Sequence, residues 1–110
     1  MAHDDVLVVV TDRVVDLAVQ YMGVDRASLM AGTPVAEVMD SLWAMELVML
    51  VEREYGVQLD IPFPMCAGQP MDVHSIAREV LRARLRQSVA RARDAGEKMT
   101  DLIALAGTAA

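Results

Sequence analysis

The stretch EVMDSLWAMELVMLVEREYG (37–56) decides how the rest of the chain is read. At about 100° per residue, Ala44, Leu47, Val48, Val51 and Tyr55 fall on one stripe fit for burial. Ser41, Met45, Met49 and Glu52 lie on a second stripe, flanked by Leu42, Glu46 and Arg53. The spacing predicts a helix over 41–55 that ends at Gly56 and has an apolar-and-acidic outer face beginning at a serine. Asp40 and Ser41 are both candidate N-caps, since either side-chain oxygen can accept a free N–H of the first turn.

Working outward, residues 4–22 carry Val6, Val9, Val10, Val14, Leu17, Ala18 and Tyr21 at steps of three and four, which predicts a helix stopped by Gly23. The run VLVVV favours strand by propensity, but the helical period continues for four turns and no other segment offers it a strand partner. Residues 24–37 contain Gly32 and Pro34 and are read as a long loop tacked to the core by Leu29, Met30 and Val35. The segment VQLDIPFPMCAGQP (57–70), with three prolines, is no long helix. Asp72 is read as the N-cap of a further helix, with Val73, Ile76, Ala77, Val80, Leu81 and Leu85 on its apolar face. A last helical segment after Gly96 places Met99, Leu102, Ile103 and Ala106 together. Four helical segments then share one core, and the fold class is all-α.

The 110 residues are enough for one domain that buries roughly two thirds of the surface its unfolded chain exposes. One cysteine, Cys66, excludes an intrachain disulfide, and His3 and His74 supply no metal-ligand spacing. The N-terminus carries acids where a signal peptide carries basic residues, and no apolar run reaches the ~18 residues of a bilayer span. A soluble, cytoplasmic protein without metal is the expectation. Charge is segregated. Residues 1–77 hold three arginines against twelve acids, a net −9, and residues 78–110 hold seven basic residues against four acids, a net +3. The acidic body suits basic protein surfaces and repels phosphate, which argues against a nucleic-acid binder.

The string MDSLWAMELVMLVEREYGVQL, preceded by YMGVDRASL and followed by MDVHSIAREV, resembles an acyl carrier protein over residues 4–85. The shared features are Asp-Ser-Leu at the head of the second long helix, an acidic end to that helix, the Gly-Val-Asp turn and the amphipathic helix that follows. The resemblance implies an acyl-carrier-like four-helix bundle with a long first loop over 1–85, and 86–110 as a C-terminal helical extension. It implies that Ser41 is the attachment point of 4′-phosphopantetheine, transferred from coenzyme A by a phosphopantetheinyl transferase, and that the carrier itself is no enzyme. Asp40 and Leu42 support that site, and Asp40 helps hold the transferase's metal. Met45, Glu46, Met49, Glu52 and Arg53 form the face that meets partners. Those partners are acyl- or aminoacyl-loading enzymes, an acyltransferase or a ketosynthase with basic docking surfaces.

Where the family commonly has glycine three residues before the serine, this chain has Val38. Trp43 is large for its place, Arg53 interrupts the acidic helix end, and a proline-rich stretch replaces the short third helix. These departures favour a carrier of a natural-product, polyketide-like pathway over one serving fatty acid synthesis, and the free-standing chain is expected to be a discrete carrier.

Two other functions compete. A serine hydrolase built from Ser41, His74 and Asp72 lacks the glycines of a nucleophile elbow. A non-catalytic helical adapter that uses the Met-rich face is the stronger rival. Arg78, Arg82 and Arg86, one turn apart, are read as a solvated face of the extension. The protein is expected to be a monomer, with self-association through Met99, Leu102 and Ile103 as the alternative.

Overall fold

The computed structural model describes residues 3–61 and 71–109, all of whose regular structure is helical. Five helices follow in order: α1 (His3–Met22), α2 (Arg26–Met30), α3 (Val35–Val38), α4 (Ser41–Tyr55) and α5 (Val73–Ala109). The proline-rich stretch and Cys66 lie outside the described residues.

Helix α1 is the central element and packs on α5, α4 and α2. Its Val10, Val14, Val15, Leu17 and Ala18 meet Ala44, Leu47 and Val51 of α4 and Val73, Ile76, Ala77 and Val80 of α5 in one core. The buried face differs from the expected one, because Val9 and Tyr21 are exposed while Val15 and Thr11 are buried. Valines surround this helix, so period alone leaves its inward face open by a residue. Thr11 is accommodated because its hydroxyl donates to Leu7 C=O at 2.8 Å, leaving its methyl for the core.

The expected loop after α1 contains two short helices. Asp25 caps α2, its carboxylate accepting from the Ser28 N–H at 3.0 Å and the Ser28 hydroxyl at 2.8 Å, and these bonds hold it below the usual carboxylate range. Leu29 and Val35 are fully buried, as expected, whereas Met30 is exposed. The Val35 N–H donates to Met71 C=O at 2.8 Å, which ties the start of α3 to the chain entering α5.

The Asp72 cap is present: Oδ1 accepts from the Ser75 N–H at 2.8 Å. Burial pulls this carboxyl up, but the bonds from Ser75 and the nearby His74 and Arg78 outweigh it and leave the group below its ordinary value. The separate last helix is replaced by a continuation. Helix α5 runs through Gly96 without a break, so the last segment is not a fourth member of the core. Met99, Leu102 and Ile103 are exposed, and the buried part of α5 ends at Ala83.

Charged side chains fasten the long helices to one another. Arg13 of α1 grips Glu54 of α4 through both Nε and Nη2, the shortest contact being 2.7 Å. Arg84 and Gln87 of α5 donate to the carbonyls of Tyr55 and Gly56, at 3.1 and 2.7 Å, where α4 runs out of intrahelical partners. The buried Glu79 accepts from Arg86 at 2.7 Å and from the Asp60 N–H at 3.2 Å. Its burial favours the neutral acid, yet these bonds and the charges of Arg86 and Arg82 prevail and hold the carboxyl below its ordinary range.

Candidate functional site

The candidate site is the head of α4. Asp40 is its N-cap, with extended backbone (φ −71°, ψ 170°) and Oδ1 accepting from the Trp43 N–H at 2.9 Å. The Ala44 N–H to Asp40 C=O bond, 2.9 Å, closes the first turn. The N–H groups of Ser41 and Leu42 therefore precede the first intrahelical bond, at the positive end of a 15-residue helix.

Of the two candidate caps the structure selects Asp40, which leaves Ser41 as the first helical residue. Its side chain is exposed, and its hydroxyl makes no hydrogen bond among the described residues. The second oxygen of Asp40 is likewise without a hydrogen-bond partner there. The chain reaches this point along a fixed path. Val35 is buried and bonded to Met71, Met39 is buried at 8% exposure, and the Met39 N–H donates to Val35 C=O at 3.0 Å. Val38, which stands where the family pattern has glycine, ends α3 in an ordinary helical turn. Since α3 is helical here, the approach needs no glycine at that position.

Below the serine, α4 presents an apolar outer face. Leu42 is 73% exposed, with Met45, Met49 and Trp43 each near half. Glu46 and Arg53 are exposed and make no ion pair among the described residues. Trp43 thus joins the expected outer residues, and its size beside the serine was the available signal. Glu52 differs from them. It is partly buried, and its carboxylate accepts from the Leu59 N–H at 2.8 Å, so it shapes the turn after α4. The inner stripe, Ala44, Leu47, Val48 and Val51, is buried as the spacing predicts. Gly56 closes the helix in the left-handed region (φ 62°, ψ 38°).

The three residues of the hydrolase alternative form no catalytic relay. His74 Nε2 lies 3.3 Å from Met30 C=O, Asp72 is engaged with Ser75, and neither makes a hydrogen bond to Ser41. Among the described residues no group of three His, Cys, Asp or Glu side chains is arranged to hold a metal ion. No described helix is long and apolar enough to cross a membrane. Comparison with protein-family models, curated proteins and solved structures returned no match for this chain.

Proposed function

We propose that this chain is an acyl carrier protein in which Ser41 carries 4′-phosphopantetheine, and that it serves a natural-product, polyketide-like assembly pathway. The observation that carries the reading is the division of labour at the head of α4: Asp40 caps, so the Ser41 hydroxyl is exposed and unbonded. A serine that another enzyme must phosphorylate has to stand clear of the fold. Position N1 does this, and it also sets the oxygen beside uncapped N–H groups and the positive helix end, which favour a phosphodiester. Residues present here therefore fit the group.

When bound, the prosthetic group supplies a thiol that holds acyl or aminoacyl cargo as a thioester. The chain's own residues bind and orient. Asp40 fixes the first turn and keeps one carboxylate oxygen outward for the transferase's metal. Leu42, Met45 and Met49 give a partner apolar contact, with Met adaptable enough for several partners in turn, and Glu46 supplies charge complementarity to basic docking surfaces. The cytoplasm, where coenzyme A and such partners are found, is the proposed location.

Intact-protein mass spectrometry after incubation with coenzyme A and a broad-specificity phosphopantetheinyl transferase tests this directly. The parent is expected to gain one phosphopantetheine and Ser41→Ala none. A folded parent that gains nothing would sink the carrier reading and leave the second one. In that reading the exposed Leu42–Trp43–Met45–Met49 face serves a non-catalytic adapter and Ser41 is an ordinary first-turn residue.

A further inference from the structure

Helix α4 contains three glutamates and one arginine, which suggests an acidic outer face. The fold withdraws two of those acids. Glu54 lies about 120° round the helix from Leu42 and gives both carboxylate oxygens to Arg13 of α1, at 2.7 and 3.0 Å. Glu52 is partly buried and turned to the Leu59 N–H at 2.8 Å. Only Glu46 is exposed and outside any ion pair among the described residues, and Arg53 is in the same condition.

What remains outward is one continuous surface. At about 100° per residue, Met45, Glu46, Met49 and Arg53 all fall within about 60° of Leu42. Leu42 is 73% exposed, Met49 50% and Met45 44%, and the two charges on the face cancel. Ser41 stands at its upper edge, one turn above Met45. The nearest exposed acids in sequence, Glu37 and Asp40, precede the helix, one on α3 and the other as its cap. The net −9 of residues 1–77 therefore does not lie on this face. Methionine and arginine with little glutamate is the composition of an interface core, where apolar contact holds the partner and charge sets its register.

We infer that this is a net-neutral, apolar docking face, and that the enzymes approaching Ser41 fit it with an apolar recess flanked by one basic group for Glu46 and one acidic group for Arg53, rather than with a broad basic patch. The inference rests on the carrier reading of Ser41 and narrows the partners it names. A basic patch would meet one free acid and be repelled by Arg53, whereas a recess matches the three apolar side chains and both charges.

The test is the kinetics of Ser41 modification by the broad-specificity phosphopantetheinyl transferase, with the full chain as the varied substrate and KM and kcat read separately. Leu42→Gln and Met49→Gln, both at exposed helical positions, should each raise KM about tenfold, with kcat within about twofold and the thermal transition kept. Glu46→Gln should raise KM by about threefold or less. Arg53→Glu, which a basic patch would welcome, should raise KM as well. A larger effect from Glu46→Gln than from the two apolar changes, or a KM lowered by Arg53→Glu, would overturn the inference while leaving the carrier reading in place. So would apolar changes that lower kcat and leave KM alone. A folded parent that gains no phosphopantetheine would overturn both together.

Discussion

At the head of α4 two neighbouring residues have opposite duties. Asp40 spends one oxygen on the Trp43 N–H, and Ser41 spends nothing. Replacing the cap by alanine should cost about 1 kcal/mol in urea unfolding, because a first-turn N–H loses its acceptor. Asp40→Ser should retain most of that stability, since serine caps nearly as well. If the carboxylate also serves the transferase's metal, Asp40→Ser should still slow modification of Ser41 in timed mass spectra, so equal rates would confine Asp40 to capping. Ser41 was legible as a candidate from its place before the first apolar step, but the choice of cap was not. Both residues are good caps, and backbone dihedrals decide between them. Glu79 was not legible at all. In sequence it is one acid in an arginine-rich run, and only the fold brings Arg86, Arg82 and the Asp60 N–H to it. Its carboxyl sits below its ordinary value in the folded chain, so its stabilising contribution is complete above about pH 5 and is lost as pH falls through the folded value. Chemical denaturation from pH 7 to 3 should show stability falling with acid, and Glu79→Gln should start lower at pH 7 and fall less steeply.

Among the elements, the glycines at 56 and 96 show how one residue type carries opposite meanings. Gly56 lies at φ 62° after α4, and Gly96 lies inside α5. A Cβ added at either meets no atom within 4 Å, so backbone conformation alone sets the sign. Gly56→Ala must hold alanine in the left-handed region and should lower stability by about 1 kcal/mol. Gly96→Ala should raise helicity in circular dichroism, by up to about 1 kcal/mol of local helix stability. Equal signs at the two sites would contradict the continuous α5. The sequence pattern located the first glycine correctly, because polar and proline-rich chain follows it. It misplaced the second as a break, because a mid-helix glycine and a helix-ending one look alike until the next turn is known to continue. In the same way α2 and α3 were hidden by Gly32 and Pro34, which in the structure separate and precede short helices rather than exclude them. The Asp25–Ser28 spacing was the readable trace of α2.

For the molecule as a whole, the radius of gyration is 18.8 Å, against about 13 Å for a compact chain of this length. The excess comes from α5, which leaves the body after Gln87. The sequence did show the change in charge sign near residue 78, yet charge gives no direction, and the projection follows only from seeing the core close at Ala83. Because the buried residues of the described core and the Arg84 and Gln87 bonds to α4 lie before residue 88, a chain ended after Ala90 should keep the body's cooperative transition, changed by no more than about 1 kcal/mol. Loss of the transition on shortening would mean that the exposed half of α5 stabilises the body itself. Phosphopantetheine loading of the shortened chain should match that of the parent, because the head of α4 rests on Val35, Met39 and Met71, none of which depends on the distal half of α5.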